Sequence, residues 1–189
     1  MKMAAIAKTA IPLVYTCSSG TQVKLMTPFH AGYLGIGFAA TSRGSGECFA
    51  RSAAVPARPD AWRCTIANAI HDPCFQNILG DASVLACPEP PWTANIALLT
   101  LNRPLPKEDF AKAALKDTLP WALEMANGHR CTLFTGATAP VAGMRINYGC
   151  EQGFIAVGDI DSSQPVWRIF FQGDKSLSLD LTDIAVAWY

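Results

Sequence analysis

The sequence predicts a mainly β fold, either an antiparallel sandwich or a barrel, with one short surface helix and stabilising disulfides. Short apolar or alternating runs recur along the chain and are separated by Gly and Pro, which is typical of antiparallel β proteins. The 13 prolines leave little room for long helices. Seven cysteines without metal-binding spacing indicate crosslinks between strands.

Length and composition limit the possible domain organisation and the possible classes of partner. We expect an N-terminal segment over residues 1–20, which is either a remnant of an export signal or a first strand, and a single β-rich domain over residues 21–189. The hydrophobic share is 50% and the formal net charge is zero. A chain without a basic stripe is unsuited to nucleic acid. No uncharged apolar run is long enough to predict a membrane span.

The cysteines predict both the crosslinks and the compartment. The cytosol keeps thiols reduced, so three disulfides and one odd thiol indicate an extracytoplasmic location, whether secreted, periplasmic or on the cell surface. Six cysteines allow many connectivities, of which we predict sequential pairing: Cys48–Cys64, Cys74–Cys87 and Cys131–Cys150. The remaining Cys17 is free, paired or lipidated, and the sequence leaves these three alternatives open.

A hairpin between Trp121 and Cys150 is the strongest structural signal. Asn127-Gly128 separates two β-type runs and predicts a two-residue type I′ turn. Counting outward from such a turn predicts three cross-strand pairs: Met125–Arg130, Leu123–Thr132 and Trp121–Phe134. Between the last two cysteines, the run GATAPVAG has little bulk, so the disulfide is expected to hold this loop.

The other predicted elements are also bounded by Gly and Pro residues. Asp72-Pro73 is predicted to be a turn ahead of a disulfide, and Gly44-Ser45-Gly46 a flexible connector. The single helix is predicted over Lys107–Thr118, which follows a proline and has acidic residues in its first turn. Strands are predicted over 47–54, 61–66, 83–87, 95–101, 144–148, 154–157, 166–171 and 183–189.

Residues with catalytic or metal-binding chemistry form no recognisable set. The histidines at 30, 71 and 129 make no zinc motif, so we expect no metal and no cofactor. His71-Asp72 beside Cys74 could be a nucleophile dyad, but adjacent strand residues point to opposite faces, and we favour the turn. No catalytic residue is therefore assigned.

Aromatic side chains are better candidates for binding. Trp92 follows the proline-rich run Pro88–Pro91, which would present its ring at little entropic cost, and loop anchoring is the alternative interpretation. Tyr148 lies in the hairpin beside Cys150. We predict Trp92 and Tyr148 as possible ligand-contacting residues, with a protein or a carbohydrate as the partner.

Several spaced motifs run through most of the chain. They are Trp62-Arg-Cys64, Asp72-Pro-Cys-Phe75, Cys87-Pro88, Trp121-Ala-Leu-Glu124, Asn127-Gly128-x-x-Cys131, Asn147-Tyr148-x-Cys150 and Pro165-Val-Trp167. Together they resemble a family of secreted bacterial proteins of uncharacterised function. The resemblance covers roughly residues 45–189 and implies an exported, disulfide-bonded domain of bacterial type, with no known activity and no catalytic residues to carry over.

Two classes of function follow from these observations. The first is an extracytoplasmic binding or interaction module, which is favoured because no nucleophile–base pair or metal cluster can be assembled. The Tyr-x-Cys-x-x-Gly hairpins are similar to small envelope inhibitors of lysozyme, so this class includes a small inhibitor of a host or envelope enzyme. The second class is a hydrolase of cell-envelope polymers that uses carboxylates such as Glu124 and Asp159, which would meet only in the fold.

Overall fold

Two closed β-barrels follow one another along the chain, so the predicted mainly β, disulfide-stabilised fold is confirmed and the barrel is the architecture adopted. The computed structural model describes residues 20–107, 113–114 and 117–189. Cys17, the rest of residues 1–19 and most of the helix predicted over Lys107–Thr118 lie outside the described residues. No helix in the described part of the chain is long and apolar enough to cross a membrane.

The strands, numbered in chain order, are short apart from two long ones that each pair with more than one neighbour. A 3-10 turn covers Glu151–Gly153. The strands are β1 (Gln22–Lys24), β2 (Phe29–His30), β3 (Tyr33–Leu34), β4 (Ala39–Arg51), β5 (Ala61–Ile66), β6 (Ala69–Gln76), β7 (Val84–Pro88), β8 (Asn95–Leu101), β9 (Ala122–Met125), β10 (Arg130–Leu133), β11 (Pro140–Val141), β12 (Met144–Cys150), β13 (Ile155–Asp161), β14 (Arg168–Gln172) and β15 (Asp180–Trp188).

The first barrel consists of β4 to β8 in sequential antiparallel order and is closed by parallel pairing of β4 with β8. Strand β4 changes its pairing partner at Gly46, which faces both β5 and β8. There a Cβ atom would lie 1.9 Å from the Thr65 carbonyl oxygen. Only glycine fits at position 46, so Gly44-Ser45-Gly46 forms the corner of a barrel strand. The prediction that this run is a flexible connector is therefore wrong.

Strand β6 was not predicted, because its Asp72-Pro73 pair was assigned to a turn. The pair lies where the register between β5 and β6 shifts, a position at which a strand tolerates proline. The Asp72 carboxylate is satisfied there: it accepts hydrogen bonds from the Ser52 hydroxyl and from the Ala53 amide nitrogen, the latter at 3.1 Å. Arg63 Nε lies 3.9 Å away. Burial nevertheless raises the pKa of Asp72.

The three predicted disulfides, Cys48–Cys64, Cys74–Cys87 and Cys131–Cys150, are confirmed. Two of them lie in the first barrel, where all four cysteines are buried and pack with Trp62, Leu85 and Leu99 in one cluster. The third joins two residues that face each other directly on β10 and β12 in the second barrel. Three disulfides indicate an oxidising, extracytoplasmic environment.

The second barrel consists of β9, β10, β12, β13, β14 and β15 in that order and is closed by pairing of β15 with β9. Strand β1 lies parallel to the end of β15. The region over residues 21–189, which the sequence predicts as one domain, contains two barrels that share a core cluster. In that cluster Trp121 and Ala122 pack with Ala61 and Phe75 of the first barrel.

The central hairpin is present, but its predicted register is wrong by one residue. The Met125 amide donates to the His129 carbonyl at 2.8 Å, which leaves three residues in the loop, the last of them Gly128 at φ +90°. A three-residue loop ending in a left-handed glycine is the common alternative to the type I′ turn. With this register Trp121 is buried between the barrels and Phe134 is exposed. The predicted cross-strand pair of these two aromatic side chains is therefore not formed. The observed pairs are Glu124–Arg130, Leu123–Cys131 and Ala122–Thr132.

The loop between Cys131 and Cys150 is held by more than the expected disulfide. Strand β11 pairs with the start of β12 through a two-residue turn, Ala142-Gly143, in which both residues have positive φ. Arg145 donates two hydrogen bonds of 2.7 Å, one to the Phe134 carbonyl and one to the Gly136 carbonyl. Hydrogen bonds therefore supply the order that this run of small side chains cannot obtain by packing.

Candidate ligand-binding cavity

A cavity of about 570 Å³ lies at one end of the second barrel. Its walls come from β1, from the segment before β9, from the end of β13 with the loop that follows, and from the residue after β15. The volume lies within the range of about 300–1,000 Å³ that is usual for small-molecule sites. We call it the barrel-mouth cavity, and six of its lining residues carry its chemistry: Asp117, Pro120, Asp159, Ser162, Trp167 and Tyr189.

The first described residues of the chain fix Trp167 at the cavity. The Thr21 hydroxyl donates to the Ile184 carbonyl and accepts from the Trp167 backbone amide, both at 2.7 Å. The Thr21 amide donates to the Pro165 carbonyl at 2.8 Å. Gly20 runs so close to Pro165 that a Cβ atom would lie 2.8 Å from the same carbonyl oxygen. The Trp167 ring is half-buried and packs against the core of the second barrel.

The cavity has an aromatic floor and an acidic rim. Tyr189 and Pro120 are buried and form the floor together with the half-buried Trp167. Asp117 and Asp159 are exposed and form the rim. None of the described lining residues is Lys, Arg or His, and neither rim carboxylate makes an ion pair within the described part of the chain. Among the described residues, the charged groups that line the cavity are therefore carboxylates.

Two neighbouring phenols, Tyr148 and Tyr189, lie at and beneath the floor. The Tyr148 hydroxyl donates to the Pro120 carbonyl at 2.8 Å. Burial, and then the nearby Tyr189 phenol, raise the pKa of Tyr148 well above its ordinary value, and burial also raises the pKa of Tyr189. Tyr189 is only 5% exposed.

Tyr148 does not face the cavity, although the sequence suggested it as a possible ligand contact. Its side chain is 0% exposed and belongs to the core cluster of the second barrel. A fully buried side chain cannot touch a ligand directly. The structure therefore places Tyr148 beneath the cavity, where it supports Pro120 from below.

Trp92, the other suggested contact, lies at the junction of the two barrels. Its ring is half-buried against the shared core cluster, and the Arg130 guanidinium carbon lies 5.6 Å from the ring centroid. These contacts agree with the loop-anchoring interpretation of Trp92. Glu124 is at the same junction, where it accepts from Trp188 Nε1 at 3.0 Å and lies 3.8 Å from Arg130 Nε. Glu124 and Asp159 are consequently not brought together in the cavity.

The histidine and cysteine residues build no reactive centre in the described part of the chain. Cys74 is bonded to Cys87, so the His71-Asp72 pair has no thiol beside it to activate. Burial lowers the pKa of His71, which favours its neutral form. No group of three or more His, Cys, Asp and Glu side chains among the described residues is arranged to hold a metal ion.

Sequence reasoning missed Asp117, Trp167 and Tyr189 as members of one site. Trp167 was visible in the motif Pro165-Val-Trp167. Tyr189 was predicted to end the strand over 183–189, whereas the structure has this strand at Asp180–Trp188 and Tyr189 directly after it. These three residues are close because β15 pairs with β9 and closes the barrel. Asp117 precedes β9, Trp167 precedes β14 and Tyr189 follows β15, and closure brings these positions to one end of the barrel. No local pattern in the sequence encodes that closure.

Comparison of the chain with known protein families, with curated proteins and with solved structures finds no match in any of the three.

Proposed function

We propose that this protein is an extracytoplasmic binding module, secreted, periplasmic or displayed at the cell surface, whose ligand occupies the barrel-mouth cavity. The observation that carries the proposal is the cavity, which combines an aromatic floor with an acidic rim in about 570 Å³. Sites of this kind enclose a small molecule, or one unit of a polymer, and orient it with a few polar groups. A carbohydrate unit or a peptide terminus fits this description.

The scaffold supports binding more strongly than catalysis. None of the described residues that line the cavity is Cys, His or Lys, so among these residues thiol, imidazole and amine chemistry is not available there. The Thr21 hydrogen bonds hold Trp167 in place before any ligand arrives. Such preorganisation lowers the entropic cost of association. The three disulfides agree with a role outside the cytoplasm.

The proposal is tested by a ligand screen followed by two matched tryptophan variants. Glycans and short peptides are screened by thermal shift, and hits are measured by calorimetry on the wild type, Trp167→Ala and Trp92→Ala. We expect Trp167→Ala to abolish binding, because its ring forms the cavity floor, and Trp92→Ala to retain it. Binding retained in Trp167→Ala and lost in Trp92→Ala would contradict the proposal and move the site to the barrel junction. The melting temperature of each variant shows whether it is folded.

A second candidate is hydrolysis of an envelope polymer, and one observation favours it. Asp117 and Asp159 line the same cavity, and glycoside hydrolases use two carboxyl groups on either side of the scissile bond. If the protein is a hydrolase, wild type releases reducing ends from purified envelope polysaccharide, and Asp117→Asn or Asp159→Asn each stops the release. Binding without any release of reducing ends would leave only the binding module.

A further inference from the structure

We infer that the outer edge of β1 accepts an extended polypeptide segment of a partner as an added strand, with one side chain of that segment in the barrel-mouth cavity. The inference rests on the proposed function and names the class of ligand for the same site. It follows from backbone groups of β1 that face away from the barrel, from two exposed apolar side chains on that strand, and from the position of both beside the cavity.

Strand β1 pairs with the second barrel along one edge. The Tyr189 amide donates to the Lys24 carbonyl at 2.9 Å, and the Met26 amide donates to the Tyr189 carbonyl at 2.7 Å. In a parallel ladder the residues between these direct their backbone groups to the opposite edge. The N–H and C=O groups of Val23 and Leu25 therefore point outward, and they have no hydrogen-bond partner among the described residues.

The outer edge of β1 is open to an incoming strand. Natural edge strands are usually protected by a proline, a bulge or a charged side chain. Strand β1, with the sequence Gln-Val-Lys, has no proline, and its register with β15 is regular. The Lys24 side chain lies on the face opposite Val23, with its Nζ 4.8 Å from the centroid of the Trp188 ring. Val23 and Leu25 are 46% and 55% exposed, so the edge presents apolar side chains together with its backbone groups.

The open edge lies at the mouth of the second barrel. Val23 lines the barrel-mouth cavity, and its register partner Ala187 is buried in the core cluster of the same barrel. A strand added beside β1 continues this sheet, and its alternate side chains lie on the same face as Val23. That face leads to the cavity floor at Tyr189. One residue of the added segment thus becomes the unit that the cavity encloses.

An extended polypeptide is the ligand whose own groups match this edge. Val23 and Leu25 each present one donor and one acceptor. These groups repeat about every 7 Å along a strand, and an extended peptide has the same groups at the same repeat. A sugar chain has hydroxyl groups but lacks that repeat. In strand addition the backbone hydrogen bonds supply affinity, and pockets for alternate side chains supply specificity.

The first experiment tests whether the ligand binds through alternate backbone groups. Capped heptapeptides of the sequence Thr-Val-Thr-Xaa-Thr-Val-Thr, with every amino acid in turn at Xaa, are titrated against the full chain by calorimetry. The tightest binder is then methylated at alternate backbone nitrogens, in two complementary sets. We expect one set to weaken binding roughly tenfold and the other by less than about twofold, because only alternate N–H groups face β1. Equal effects of the two sets, or no binding by any heptapeptide, would overturn the inference.

A matched pair of variants tests the edge from the side of the protein. Val23→Pro removes an outward amide and leaves the bonds to β15 intact, which is where an edge strand tolerates proline. Val23→Thr keeps the amide and a similar shape. We expect Val23→Pro to weaken the tightest heptapeptide roughly tenfold and Val23→Thr by less than about twofold. Equal binding by wild type and a folded Val23→Pro, as judged by melting temperature, would overturn the inference.

Amide hydrogen exchange tests the edge without any substitution. In the free protein the Val23 and Leu25 amides should exchange much faster than the Met26 amide, which is bonded to Tyr189. With the heptapeptide at saturation, the Val23 and Leu25 amides should exchange several-fold more slowly. Slow exchange of both amides already in the free protein would show that another part of the chain covers the edge. Slow exchange that develops as the protein concentration rises would show that a second copy covers it. Either result would overturn the inference.

Two variants separate failure of this inference from failure of the proposed function. A ligand from the glycan and peptide screen that is lost in Trp167→Ala and unaffected by Val23→Pro would overturn strand addition and support the cavity as the binding site. A heptapeptide that is lost in Val23→Pro and retained in Trp167→Ala would confine the ligand to the edge and overturn the role of the cavity. Loss in both variants, with Val23→Thr unaffected, is the result that we expect.

Discussion

The two barrels close small sheets in different ways, and they differ in the number of disulfides and in the size of the cavity each carries. The first barrel has five strands and buries two disulfides within its core. The second has six strands, one disulfide and a cavity at one end. A closed barrel gains width as strands are added. The interior of the narrow barrel is filled by its own side chains and sulfur atoms, and a cavity of about 420 Å³ lies where β6 and β8 end. The barrel-mouth cavity of the wider barrel is larger, at about 570 Å³.

Crosslinks compensate for size in the first barrel. A unit of about 60 residues buries too little surface to be more than marginally stable by itself. The disulfides Cys48–Cys64 and Cys74–Cys87 close loops with sequence separations of 16 and 13 residues and lie in the fully buried cluster. The second barrel relies more on Tyr148, on Arg145 and on pairing between β9 and β15.

The largest effect is expected on removing both disulfides of the first barrel. Chain-entropy models assign about 3 kcal/mol to each loop, or roughly 6 kcal/mol together, out of a total stability of about 5–15 kcal/mol. Replacing these four cysteines with alanine should leave the protein largely unfolded at 25 °C, as measured by urea denaturation. Cys131→Ala/Cys150→Ala should cost only about 3 kcal/mol and keep a cooperative transition. Equal urea midpoints for wild type and the four-alanine variant would show that the two disulfides contribute nothing to stability.

The next largest effect concerns the corner of the first barrel. Gly46→Ala places a methyl group 1.9 Å from the Thr65 carbonyl oxygen, and two paired strands must separate to admit it. We expect a loss of about 2–3 kcal/mol in the free energy of unfolding. The control is Gly136→Ala in the second barrel, where a Cβ atom meets nothing within 4 Å and stability should be almost unchanged. Equal costs at the two positions would contradict the close approach at Gly46.

The second barrel should show a pH dependence that comes from Tyr148. Because the folded state raises its pKa above the ordinary value of 10.0, this group stabilises the fold below that pH, and the contribution is lost as the pH rises toward the folded pKa. Tyr148→Phe should cost about 1 kcal/mol at neutral pH through the lost bond to Pro120. The variant should also lose less stability than wild type between neutral and strongly alkaline pH. Parallel pH profiles in urea denaturation would contradict this assignment.

The smallest effect is a gain of stability at a turn of the second barrel. Ala142 has a φ of +50°, a conformation that alanine disfavours and asparagine tolerates. Ala142→Asn creates the Asn-Gly pair that type I′ turns prefer and should add about 0.5 kcal/mol. Ala137→Asn, at an exposed position of the same loop, is the control and should add nothing. A decrease in melting temperature for Ala142→Asn would contradict the turn assignment.

Turns show where the sequence was informative and where it was misleading. Asn127-Gly128 marked a true hairpin, yet the loop has three residues and the register differs by one. Two-residue turns with positive φ occur instead at Ala31-Gly32, Ala67-Asn68 and Ala142-Gly143. Alanine is a poor residue for the first position of such a turn, so tertiary pairing of the flanking strands overrides the local preference.

The strands and disulfides were predictable because their signals are local, whereas the cavity was not. The strands at Ala61–Ile66 and Asn95–Leu101 have the predicted bounds, since apolar runs between Gly and Pro define them. Sequential disulfides were predictable because neighbouring antiparallel strands bring consecutive cysteines together. Asp117, Trp167 and Tyr189 meet only because a sheet closes on itself. Trp92, the most conspicuous aromatic residue in the sequence, instead anchors a loop to Arg130.

The central claim is that the second barrel binds the ligand while the first provides stability. It is tested most directly by titrating ¹⁵N-labelled protein with a ligand found in the glycan and peptide screen and mapping the changes in amide and indole shifts. We predict that the largest changes fall on Asp159, Ser162, Trp167 and Tyr189, and that the strands of the first barrel remain unchanged. Largest changes in β4 to β8 or in the loop that contains Trp92 would contradict the claim.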